Sequence, residues 1–133
     1  MPLLRGHHLV CLHFFNGEGY DEAFINNLKN LSSLVEKEKI TVSSGADDVC
    51  RSCHYSGEKR CLYSESSEEE IKGMDAKALS LLALSCEDKV IWLALKQKIC
   101  RIFPEWFSLY CIECDWRKTC EKNVLFQSLL KNL

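Results

Sequence analysis

Apolar residues recur at helical spacing along most of the chain. Residues 3–15 carry Leu4, His8, Cys11 and Phe15 on one stripe, which predicts a helix ended by Asn16-Gly17-Glu18-Gly19. Phe24, Leu28, Leu31 and Val35 repeat the spacing and predict a second helix, N-capped by Asp21, stapled by Tyr20 onto Ile25, and running to about Lys37. Ile40-Thr41-Val42-Ser43 breaks this period and reads as a short strand. From residue 50 to 67 no apolar period survives, so the segment reads as loop. Glu68-Glu69-Glu70 reads as a solvated first helical turn, where acids suit the positive end of the helix dipole. Asp75 reads as the cap of a helix bearing Ala78, Leu79, Leu82 and Ala83. Residues 87–103 form a further helix on Val90, Leu93, Ala94 and Cys100, interrupted by Pro104. Trp106, Phe107 and Tyr110 supply an apolar collar, and residues 124–130 close the chain as an amphipathic helix. The expected fold is mainly α: one compact domain over 1–133, of about five helices, with cysteine-rich loops and one small β element.

Composition narrows the function more than the fold. At 133 residues, 47% hydrophobic and 27% charged, the chain can bury a core without help from a ligand. Net charge is -2 and the bases are scattered among acids, which disfavours nucleic acid as a partner. No apolar run reaches the length of a membrane span, and residues 1–15 lack a small-residue cleavage pattern. A cytoplasmic address is therefore expected, where thiols stay reduced.

That address gives the nine cysteines their meaning. Six fall in two triplets, Cys50-x2-Cys53-x7-Cys61 and Cys111-x2-Cys114-x5-Cys120. A C-x-x-C turn aims two thiolates at one point and a third cysteine closes most of a coordination shell, so the doubled pattern points to bound metal. Arg51, Lys59 and Arg60 beside the first triplet, and Arg117, Lys118 and Lys122 beside the second, suit compensation of thiolate charge. Cys86 and Cys100 sit among apolar neighbours and read as core residues. His54, next to Cys53, is either solvated, a ligand or a donor to sulfur.

Each triplet lacks a fourth ligand. On a helical wheel His7 and His8 stand about 40° and about 60° from Cys11, while His13 falls nearly opposite and is expected at the surface. This face could donate the missing ligand to one triplet or both, and an unliganded core role for the same residues is the alternative.

Four stretches, Arg5-Gly6-His7-His8-Leu9-Val10-Cys11-Leu12, Gly17-Glu18-Gly19-Tyr20 with Phe24, Asp47-Asp48-Val49-Cys50-x-x-Cys53, and Cys111-x-x-Cys114-x-Trp116-x-x-x-Cys120, carry a resemblance in conserved order. Together they resemble the bacterial and archaeal domain of unknown function 1284, whose members have been described as candidate iron-sulfur binding proteins. The resemblance implies a role for His7, His8 and Cys11 beside the triplets, and interest in Asp47 and Asp48.

Three functions follow as expectations. The first is an iron-sulfur protein, its cluster held by the first triplet with a fourth ligand from the second triplet or the first helix, in electron transfer, sensing or structure, served by a protein redox or interaction partner. The second is a zinc-stabilised module that binds another protein. A thiol oxidoreductase using Cys50/Cys53 or Cys111/Cys114 is third, since neither pair opens a helix in a strand-helix-strand unit. No phosphate-binding glycine loop or serine nucleophile motif is present, and no substrate is legible.

Overall fold

Pairing with a distant strand, not local helical preference, decides how the chain starts. The computed structural model describes residues 2–17, 22–44, 47–49, 56–57, 60–61, 67–112, 114 and 117–133. In chain order the first half gives β1 (Leu3–Arg5), α1 (Gly6–Cys11), a 3-10 turn (Leu12–Phe14), α2 (Glu22–Lys37), β2 (Ile40–Ser43), β3 (Ser56–Gly57) and β4 (Arg60–Cys61). The second half gives α3 (Ser67–Leu82), β5 (Lys89–Val90), α4 (Trp92–Trp106), a π-helical turn (Phe107–Cys111), α5 (Arg117–Cys120) and α6 (Val124–Lys131).

The expected helix over 3–15 is thus shorter than its stripe. β1 lies parallel to β2, with Leu4 opposite Val42 and Arg5 opposite Ser43, and β5 pairs antiparallel with the other edge of β2. Leu4, Ile40 and Val42 are buried, so the sheet gains both backbone pairing and apolar contact from residues that would also fit a helix. α2 follows its sequence pattern, burying Phe24, Leu28, Leu31 and Val35. Its expected Asp21 cap and Tyr20 staple lie outside the described residues.

Further along, five expectations are corrected. Residues 56–57 and 60–61 pair as a small antiparallel hairpin inside the segment read as loop. Asp75 caps nothing of its own helix: α3 runs unbroken through it. α4 starts at Trp92 and turns Leu95, Ile99, Phe103 and Trp106 inward, leaving Leu93 64% exposed and Cys100 exposed as well. The β5 strand fixes where the helix begins and hence which of two competing apolar faces meets the core. Pro104 sits within α4 at an exposed position and does not interrupt it. Cys86 is exposed too, so neither it nor Cys100 is a core residue.

Phe14, Phe103 and Phe126 meet edge to face, with ring centres 5.2 to 5.8 Å apart, and join the end of the first helical segment to α4 and α6. Among the described residues no helix is long and apolar enough to cross a membrane.

His13 is the other correction: it is buried, not at the surface. Its ring lies flat on Trp92, 3.6 Å between centres at 4°, and Nδ1–H donates to the Leu9 carbonyl at 2.9 Å. Burial, more than the nearby Lys96, lowers its pKa from 6.5 to about 4, although backbone hydrogen bonds oppose the shift. The unfolded chain takes up this proton near pH 6.5 and the folded chain near 4, so the stability contribution is complete above the higher value and lost progressively toward the lower. The loss is at most about 3 kcal/mol. His13→Gln removes the stacking at every pH but should flatten the decline of the urea midpoint between neutral and mildly acid pH. An unchanged slope would show that this imidazole protonates freely in the folded protein.

Candidate metal centre

Cys11 closes α1 and so reaches the C-terminal triplet. The π-helical turn after α4 ends on Cys111. A tight turn follows, with the Cys114 amide donating to the Cys111 carbonyl at 3.2 Å, and α5 then carries Cys120. Two asparagines tie this loop to the end of the first helical segment. Asn16 donates to the Thr119 carbonyl at 2.5 Å, and Asn123 donates to the carbonyls of His13 at 3.5 Å and Phe15 at 3.4 Å while its Oδ1 caps α6.

Cys11, Cys111, Cys114 and Cys120 are all thiols outside any disulfide, and all are half-buried. Burial pushes Cys11 well above its ordinary pKa of 9.0, and Cys111, Cys120 and Cys114 each push it further. Cys111 rises to about 12, through burial first and then Cys114 and Cys120, against the pull of Arg117. Cys120 rises to about 11 through burial, Cys114 and Glu121. Every pair among the four therefore lies within electrostatic reach. The side chain of Trp106, itself fully buried, donates a hydrogen bond to Cys11, and the Arg117 guanidinium stands 5.2 Å over the Phe107 ring.

Of the first triplet, Cys50 and Cys53 lie outside the described residues, as does His54, and Cys61 is described only as backbone in β4. Among the described residues, Cys11, Cys111, Cys114 and Cys120 included, no group of three or more His, Cys, Asp or Glu side chains is placed so that it could hold a metal ion.

His7 and His8 part company with Cys11. α1 crosses α3 so closely that a Cβ on Gly6 would sit 2.4 Å from the Asp75 carbonyl oxygen. Asp75 Oδ1 accepts from the His7 amide at 2.9 Å and from His7 Nδ1 at 2.7 Å, while Oδ2 takes Arg5 Nε at 2.7 Å. The start of α1 is thus capped by a carboxylate from another helix. Asp47 does the same from the loop after β2: Oδ2 accepts from the Arg5 amide at 2.6 Å and from His8 Nδ1 at 2.7 Å, and Oδ1 accepts from the Val49 amide at 3.0 Å. Asp48 takes the Leu3 amide at 2.9 Å.

Burial alone would raise the Asp75 carboxyl, but the hydrogen bonds and charges of His7 and Arg5 outweigh it and hold the group below its usual range. His7 is lowered to about 4, by burial first and by its neighbour His8 second, against the pull of Asp75 and Asp47. Its imidazole is neutral at neutral pH, with the proton on Nδ1 and a lone pair on Nε2. The two rings stand 4.0 Å apart at 46°.

Sequence reasoning missed Arg5, Gly6 and Asp75 as parts of this cluster. The one available signal was an acid inside a helical apolar pattern, between Met74 and Ala78, which a capping role explains equally well.

One family, described as "Protein of unknown function (DUF1284)", matches residues 19–120 and so ends on Cys120. Comparison with curated proteins and with solved structures gave no match.

Proposed function

The chain belongs to this family of proteins of unknown function, and from the residues themselves we propose that it is a cysteine-ligated metal-binding protein whose centre is an iron-sulfur cluster. Cys11, Cys111, Cys114 and Cys120 would hold it. The mutual electrostatic influence of these four thiols, from two distant parts of the chain, carries the proposal. Four sulfur donors match the ligand count and softness of a cluster, or of a structural zinc ion.

The electrostatics favour metal over thiol exchange. A reactive C-x-x-C pair needs a depressed thiol pKa, whereas Cys111 is raised to about 12. A metal centre displaces the proton and balances the charge, which removes the cause of the elevation. The Trp106 hydrogen bond to Cys11 and the half-buried setting are the means by which a protein sets a cluster potential, and they suit electron transfer or sensing.

The direct test is anaerobic purification from a metal-replete host, followed by iron, zinc and acid-labile sulfide analysis and a visible spectrum. Coloured protein with iron and sulfide is expected. Colourless protein holding zinc alone would replace the cluster by a zinc-stabilised module, and protein with neither element would end both readings.

A further inference from the structure

The buried face of α4 is well defined. At about 100° per residue, Ile99, Phe103 and Trp106 stand about 40°, about 80° and about 20° from Leu95, so the core lies along one arc of the helix. Carried on unbroken, the same helix would put Leu109 beside that arc, about 40° from Leu95, and Cys111 at about 160°, facing away from the core. The structure has the reverse: Leu109 is 51% exposed, while Cys111 is half-buried and packs against the core. The π-helical turn over Phe107–Cys111 accounts for both. Bonding from i to i+5 puts one residue more into each ring than an α turn, so the chain beyond lags by one position, about 100°. Cys111 then lands at about 60°, between the bearings of Trp106 and Phe103.

We propose that the extra residue of this turn is a positioning element, which rotates Cys111 out of its α-helical phase and into the group formed by Cys11, Cys114 and Cys120; in its metal readout this rests on the reading of those four thiols as one centre. A second observation agrees. Trp106 and Cys111 both act on the Cys11 sulfur, so they share one face of the helix. Residues five apart in an α-helix stand about 140° apart, whereas the lag closes that angle to about 40°. Tyr110 keeps its place against Trp106, with ring centres 4.6 Å apart. Arg117 braces the turn at both ends: its guanidinium stands 5.2 Å over Phe107, where the turn begins, and Nη1 donates to the Ile112 carbonyl at 3.0 Å, just past its end.

The test removes or adds one residue at Ser108, exposed within the turn. Deleting Ser108 lets the segment close as ordinary α-helix with Cys111 still at about 60°, whereas inserting an alanine after Ser108 turns Cys111 outward by about 100°. Proximity is read in metal-free, full-length protein carrying Cys114→Ser and Cys120→Ser. The probe is dibromobimane, which joins two neighbouring thiols as each sulfur displaces one bromide, and peptide mass spectrometry locates the Cys11–Cys111 link. The deletion should keep the link and the insertion should lose it. Iron, sulfide and zinc per chain, measured with all cysteines in place, should follow the same order. A link lost from the folded deletion variant, or kept in the insertion variant, overturns the proposal. Should the deletion variant fail to fold, nuclear magnetic resonance of wild-type protein decides: a hydrogen-bond coupling from the Cys111 amide to the Trp106 carbonyl is expected, and one to the Phe107 carbonyl overturns it. Failure of the metal reading is distinct, since protein with neither iron nor zinc would still show the expected pattern of links.

Discussion

Cys11→Ser should strip the proposed iron-sulfur centre as thoroughly as Cys114→Ser, although Cys11 belongs to neither triplet. The expectation rests on its contacts. Cys111, Cys120, Cys114 and the Trp106 side chain all act on the Cys11 sulfur, so serine there removes one of four sulfur donors while its hydroxyl can still accept from the indole. A hydroxyl is a harder and far less acidic ligand than a thiol, and a cluster short of one sulfur is lost or rebuilt with fewer irons. Iron and sulfide should fall to about a tenth of wild type or less, and the melting temperature should drop by roughly 10 °C, since ligand binding adds to folding free energy. Cys86→Ser and Cys100→Ser supply the contrast, because both side chains are exposed and neither is among the groups that act on Cys11, Cys111 or Cys120. Iron retained in Cys11→Ser, or lost equally from Cys100→Ser, would assign the wrong four sulfurs.

How far the chain itself foretold this depends on the kind of signal. The α2 face was fully legible, because four apolar positions at one spacing admit a single phase. α4 was not: Leu93 and Ala94 extend an apolar set about as well as Leu95 and Ile99 do, and only the strand at Lys89–Val90 settles where helical geometry begins. The first segment failed for a related reason. A wheel drawn over residues 3–15 assumes one straight helix, whereas β1 removes its first turn and a 3-10 turn tightens its last.

The candidate centres divide the same way. Counting donors gave the expectation that the first helix lends a ligand to a triplet, and Cys11 lies within electrostatic reach of Cys111, Cys114 and Cys120. That His7 and His8 would be drawn elsewhere required knowing which acids are buried. Asp47 and Asp75 lie far from them in sequence, and a local pattern cannot report a long-range ion pair. His13 illustrates the cost of such blindness most simply: its wheel position faced away from Cys11, yet the far side of so short a helix is covered by Trp92.

Gly6→Ala and Gly73→Ala should move stability in opposite directions, and the first by far the more. A Cβ at position 6 would meet Asp75 O at 2.4 Å, Asp75 Cα at 2.7 Å and Asp75 C at 2.9 Å. All three are backbone atoms of a helix, so no flexible side chain can swing aside. α1 must lift from α3. Lifting stretches every bond that Asp75 makes to Arg5, fully buried, and to His7, and it leaves charge buried with poorer partners. Overpacking of this kind costs about 1–3 kcal/mol, and weakening the ion pair adds to it, so a loss of about 3–5 kcal/mol is expected. That is a large part of the total stability of a domain this size. Gly73, mid-helix in α3, has open space where a Cβ would stand. There alanine only restricts the unfolded chain and improves helix propensity, for a gain of about 0.5–1 kcal/mol. Urea titration of both variants is sufficient. Wild-type stability in Gly6→Ala would mean that α1 and α3 do not touch at this point, and with that contact would go the carboxylate support of His7.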